Sequence, residues 1–150
     1  MTHEQDLDAL ARSIVDANRF LALGTADRRG RPWVSPVWYA PHSYREYVWV
    51  SRPGTRHSRN LAERPQVAIA IYDSHRPGGW SAFYMAAVAE ELDEVDDALK
   101  TFNSRSEAQG LRAWSRAEVV SPGEFRLYRA LATEQFVLDD HDARRPVHLQ

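Results

Sequence analysis

Apolar positions recur along this chain with two periods, and the switches between them mark its elements. In "THEQDLDALARSIVDAN", Leu7, Leu10 and Ile14 form a stripe at helical spacing, and Thr2 and Gln5 stand at capping-box spacing, which predicts a helix. "RFLALGTAD" reads as a strand that ends in the turn "DRRGRP"; "WVSPVWYA" reads as a second, so residues 19–40 predict a hairpin. Pro36 removes a ladder donor inside that second strand. It suits an edge, a bulge or a place where a ligand replaces a neighbouring strand. "PHSY" predicts a turn into the strand "EYVWVS". Pro53 and Gly54 break that strand, Thr55 is placed to cap a helix to about Arg64, and Pro65 stops it.

In the strand "QVAIAIYD", Val67, Ile69 and Ile71 share one face and Ala68 and Ala70 the other. A face of alanines predicts a bulky neighbour packed closely against it. "SHRPGG" is a loop, and "WSAFYMAAVAEEL" a long strand. "DEVDDALKTFNSRSEA" turns helical through Val95, Leu99 and Phe102, with Asp93 or Glu94 suited to the positive end. "LRAWSRAEVVSPG" reads as irregular or partly helical, "EFRLYRALA" and "EQFVLDD" as two strands, and "HDARRPVHLQ" as a polar tail. Six or seven strands with a few helices predict a mainly-β (α+β) chain, a barrel or strongly curved antiparallel sheet with helices outside. No repeat, low-complexity run or linker divides it, so residues 1–150 read as one domain.

Composition narrows the function. The 150 residues contain no cysteine, which excludes a disulfide scaffold, a zinc ribbon and a thiol nucleophile, and suits a reducing cytoplasm. The N-terminus is acidic and polar, unlike a signal peptide, and no apolar run approaches the roughly 20 residues that span a bilayer. The expectation is a cytoplasmic protein without a membrane partner. A formal net charge of −2 gives no overall positive field for nucleic acid.

Against that balance, "SRPGTRHSRNLAERPQ" gathers Arg52, Arg56, His57, Arg59 and Arg64 within residues 51–66. The first turn of a helix favours acidic side chains, yet this one carries Arg56 and His57. The arrangement is unfavourable alone and favourable once an anion docks there, with Thr55 and Ser58 as hydroxyl donors. A solvated helix with Leu61 and Ala62 toward the core accounts for the same residues. Other motifs are missing. The chain has no Walker loop, no G-x-G-x-x-G, no G-x-S-x-G elbow and no H-E-x-x-H, and its six histidines form no compact metal set. The aromatic residues Trp33, Trp38, Tyr39, Tyr47, Trp49, Trp80, Phe83 and Tyr84 read mostly as core or subunit interface, with one or two free to border a planar ring.

Taken in order, "ALGTADRRGRPWVSPVWYA", "EYVWVS", "GTRHSRNLAERPQVAIAIYD" and "FYMAAVAEELDEVDDA" resemble the pyridoxamine 5′-phosphate oxidase-like, FMN-binding split-barrel superfamily over about residues 5–140. The resemblance implies a six-stranded antiparallel split β-barrel that forms a homodimer with cofactor sites at the subunit interface. It implies FMN, with the deazaflavin F420 as the alternative and haem or biliverdin in some relatives. A flavin phosphate would fall to Ser35, Ser51, Thr55, Arg56, His57 and Arg59. The ring would lie near Pro36, Val37, Trp38 and Val50. The partner would close the pocket from around Trp80 to Phe83. F420 would bring Arg52, Arg56 and Arg59 to its longer phosphodiester and acidic tail.

Departures from the oxidase itself accompany the likeness. Its strand-two arginine and lysine are here Ser35 and Ala40, its helix-start lysine is His57, and its C-terminal Trp…Arg-Leu-His signature is unmatched by "VLDDHDARRPVHL". These point away from oxidation of pyridoxamine phosphate. The implied function is an FMN-dependent oxidoreductase with a small-molecule substrate or electron acceptor. The alternatives are an F420-dependent reductase and a non-catalytic flavin- or haem-binding module. The residues name no acid–base pair, so catalytic residues are unassigned.

Overall fold

The computed structural model describes residues 2–75 and 81–150. Thr2 caps the first helix, α1 (His3–Ala17), through the predicted box: its hydroxyl accepts the Gln5 N–H while the Gln5 side chain accepts the Thr2 N–H. α1 buries Leu7, Ala11, Ile14 and Val15. The predicted hairpin follows as β1 (Phe20–Ala26) and β2 (Pro32–Trp38), in register from Phe20 opposite Trp38 to Ala26 opposite Pro32. Asp27 shapes its turn by accepting the N–H groups of Arg29 and Arg31.

One residue, Tyr39, separates β2 from β3 (Ala40–Ser43), which pairs with β4 (Glu46–Ser51). The stretch "PHSY" is therefore largely strand, and its turn comes later, at Tyr44 and Arg45. The remaining elements are α2 (Arg56–Glu63), β5 (Gln66–Tyr72), β6 (Ala82–Glu91), α3 (Asp96–Ala108), α4 (Arg116–Val119), β7 (Arg126–Leu138) and β8 (Arg144–Pro146). The antiparallel sheet runs β2-β1-β5-β6-β7-β4-β3, with β8 on β7.

This order explains how the sheet closes. Its two terminal strands, β2 and β3, are consecutive in the chain, so a bend at Tyr39 carries one segment from β1 to β4. Tyr39 is fully buried; its hydroxyl donates to the Val15 carbonyl and Arg105 lies 5.1 Å from its ring. Arg105 also donates to the carbonyls of Val15 and Asn18, so α3 and the bend together hold the end of α1. The architecture is the predicted split barrel with eight strands in place of six. The extra two are β3 and β8.

Two further expectations change. The strands expected at "EFRLYRALA" and "EQFVLDD" are one continuous strand, β7, in which the register shifts so that Thr133 is extra. The "polar tail" is structural: Val147 and Leu149 are buried, and the buried Gln135 accepts the Leu149 N–H while donating to the Tyr44 carbonyl.

The core has two parts. The barrel interior joins Leu21, Leu23, Tyr47, Trp49, Ile69, Ile71, Phe83 and Met85 to the apolar stripe of α1. Outside the barrel, the N-cap residue Val95 and Leu99 and Phe102 of α3 pack against Ala40 of β3, Val48 of β4 and Leu127 of β7. Over the rest of the outer face no helix lies among the described residues. There Pro36, Ala22, Ala70, Tyr84 and Phe136 stand opposite one another in sequence, and Val34, Gly24, Ala68 and Ala86 form the next row. The alanine face of β5 thus lies in an uncovered apolar surface of the single chain, where Ala68 is exposed and Val34 is 64% exposed.

Candidate functional site

The bend at Tyr39 also makes a split. β3 pairs with β4 as far as Ala40 opposite Val48, and continuing that register would set Trp38 opposite Val50. Instead β2 pairs with β1 alone, so its other edge lacks a strand partner among the described residues. Pro36 sits on this edge strand, where its missing N–H costs no ladder bond. β4 ends beside the split at Ser51. A short turn then delivers α2, which docks on β1 and β2: Asn60 donates to the Thr25 hydroxyl, and that hydroxyl donates to the Trp33 carbonyl.

The first turn of α2 treats its polar residues differently. Thr55 is the N-cap; its hydroxyl accepts the Ser58 N–H, bonds the Ser58 hydroxyl at 2.7 Å and donates to the Arg52 carbonyl. Arg56 is exposed and its guanidinium lies 4.2 Å from the Trp33 ring centroid, bridging the helix start to β2. Arg56 has no carboxylate partner among the described residues. No acidic residue occupies this turn. The turn therefore offers one guanidinium, free backbone N–H groups and the positive dipole end together.

His57 faces the other way. It is 8% exposed, and Nε2 lies 3.0 Å from the Ser51 hydroxyl. Burial holds its pKa below the ordinary 6.5, so the imidazole is neutral at pH 7. Ser51 and His57, both expected at a phosphate, are thus brought to each other and join the end of β4 to α2 inside the barrel. The signal for this was in the sequence: His57 lies four residues before Leu61, which puts both on one helical face, and Leu61 is buried.

The other expected residues divide by face. On β2, Val37 is buried in the core cluster and Ser35 shares its inward side, opposite Leu23. Pro36 and Trp38 point outward, and Trp38 packs edge-on against Phe20 at 5.0 Å. Val50 lies with Trp38 on the outer cluster beneath α3. Near the split, β2 offers mainly its backbone edge. Arg52 is held by Glu124 at 2.8 Å and lies over the Phe125 ring, and Arg59 lines a separate cleft with Tyr128 and Glu91. Trp80 lies outside the described residues. Trp33 and Asn60, which anchor Arg56 and α2, were not among the expected site residues; Trp33 was noted only as one aromatic among several.

Comparison with known proteins bears on this arrangement. The family described as Pyridoxamine 5'-phosphate oxidase matches residues 7–139. Among solved structures, the haem storage protein HutZ of Vibrio cholerae is similar at 22% identity, over 87% of this chain and 94% of that one, with a TM-score of 0.67. An FAD-binding protein from Mesorhizobium loti is similar at 22% identity, over 85% and 90%, with a TM-score of 0.63. A putative pyridoxamine 5'-phosphate oxidase from Listeria innocua is similar at 14% identity, over 87% and 97%, with a TM-score of 0.67. No curated protein matches the chain.

Proposed function

The chain belongs to the pyridoxamine 5'-phosphate oxidase family, and from that premise we propose that it binds FMN across a homodimer interface and acts as an oxidoreductase. The observation that carries the reading is Arg56, a guanidinium stacked on Trp33 at the helix start with no carboxylate partner among the described residues, beside an edge of β2 with no strand partner among them. The groups present fit a phosphorylated flavin. Arg56 and the first N–H groups of α2 meet the phosphate, and the backbone of β2 meets the polar rim of the ring. The bound flavin would supply hydride or electron transfer. The chain's part is to hold it and to exclude water.

FMN suits the site better than F420. Of the three arginines that a longer anionic tail would need, Arg52 is engaged by Glu124 and Arg59 lines another cleft. The outer face, which has no helix over it among the described residues, supports the homodimer, since its rows of Pro36, Ala22, Ala70 and of Val34, Gly24, Ala68 carry only small apolar side chains. Gly24 fits the close approach of β1 to β5 in that row: a Cβ there would sit 3.3 Å from the Ala68 carbonyl oxygen. Ser35 and Ala40 carry no charge, which argues against pyridoxamine phosphate as substrate.

A second reading is a haem-binding module. It is favoured by the fold's likeness to a haem storage protein. The visible spectrum and native mass of the purified protein test both. A flavin spectrum on a dimer supports the first reading, a Soret band the second, and a colourless monomer that gains no thermal stability from FMN contradicts both.

A further inference from the structure

On the side of α2 away from β2 lies a second cleft of about 390 Å3, between the helix and the ends of β6 and β7. That size falls within the range of ligand sites, roughly 300–1,000 Å3. Its exposed apolar lining comes from Pro53, Ala62 and Pro65, above the buried Leu61 and Ala89. Two side chains of opposite charge line it, Arg59 from the helix and Glu91 from the end of β6. Neither has an ion-pair partner among the described residues, and they do not pair with each other. Glu90 also lines the cleft, but Arg129 holds it at 2.6 Å. Tyr128 completes the polar wall; it is 2% exposed, stacks on the fully buried Trp49, and its hydroxyl has Ser58 and Glu91 beside it.

We propose that this cleft binds a small zwitterion, a free amino acid with an apolar side chain. A carboxylate pairs with Arg59, an ammonium with Glu91, and the side chain covers Pro53, Ala62 and Pro65. Both charges are exposed, and a zwitterion pairs with both at once, whereas a ligand of one sign pairs with one and leaves the other to water. The polar groups and the apolar surface stand on three elements fixed by the sheet and by α2, so the cleft is built by the fold. It is separate from the Arg56 side of the helix and does not rest on the flavin reading.

Calorimetric titration with leucine, N-acetylleucine and leucinamide tests it on the wild-type protein and on the surface variants Arg59→Gln and Glu91→Gln. Leucine should bind at least about tenfold more tightly than either blocked derivative, the loss expected for one charge-assisted hydrogen bond. Arg59→Gln should abolish the preference over leucinamide alone, and Glu91→Gln the preference over N-acetylleucine alone. FMN affinity should be unchanged in both. No leucine binding at about 10 mM, or variants that keep both preferences, would overturn the proposal. So would loss of FMN binding in Arg59→Gln, which would return that arginine to the flavin site.

Discussion

Two helices of this chain begin with a threonine cap and then diverge. In α1, Glu4 and Asp6 fill the first turn, Thr2 and Gln5 close a reciprocal box, and Leu7, Ala11, Ile14 and Val15 enter the core. Every feature serves the helix itself. In α2, Thr55 caps, but no acid follows; Arg56 faces solvent over Trp33 and His57 turns inward to Ser51. A helix that satisfies its own dipole needs nothing further at its start. One that places a cation there is incomplete, and an anion completes it. On the function proposed above, the local rule is obeyed in α1, which serves the fold, and broken in α2, where an anion would dock.

Four changes sharpen this contrast. Ile14→Ala removes a buried side chain of α1 and should cost roughly 2–5 kcal/mol in denaturant unfolding. FMN affinity of the folded fraction should stay the same. His57→Lys follows the oxidase pattern yet buries an ammonium in place of a neutral ring bonded to Ser51. It should destabilise the protein by about 2 kcal/mol; an unchanged melting temperature would show that position 57 reaches solvent. Thr2→Ala should cost about 1 kcal/mol through loss of the cap, with no effect on the flavin.

The fourth and smallest effect is on pH. Burial keeps the folded pKa of His57 below 6.5. The unfolded chain therefore binds more protons just below that pH, and stability rises with pH in that window. The contribution is present above about pH 6.5 and is lost as the pH falls through the folded value. His57→Gln should flatten the acid side of the stability profile, as followed by thermal unfolding between about pH 7 and 5. A parallel loss in both proteins would remove His57 as its cause.

The sequence was most legible where a segment's own pattern decides its structure. The capping box of α1, the β1–β2 hairpin, the alternation in β5 and the Thr55-to-Pro65 bounds of α2 are all local. "PHSY" predicts a turn, yet Ala40–Ser43 is a strand because β4 pairs with it. β8 and the tail are ordered by β7 and by Gln135, a residue well separated from Leu149 in the chain. At the site, the cation at the helix start and the edge position of Pro36 were legible from residue type and position. Which of two adjacent basic residues faces out depends on the helical phase set by Leu61, which residue charge does not carry. The partition of Arg52, Arg56 and Arg59 among three surroundings is tertiary and was beyond any local reading.

The central claim is that Arg56 and the start of α2 hold a flavin phosphate. It is tested most directly by titrating FMN and riboflavin, which lacks the phosphate, against wild-type protein and Arg56→Ala at fixed ionic strength. The account predicts that the wild type binds FMN at least about tenfold more tightly than riboflavin, and that most of this difference vanishes in Arg56→Ala while riboflavin binds as before. Equal affinity for the two flavins in the wild type, or a phosphate preference that survives the substitution, would contradict it.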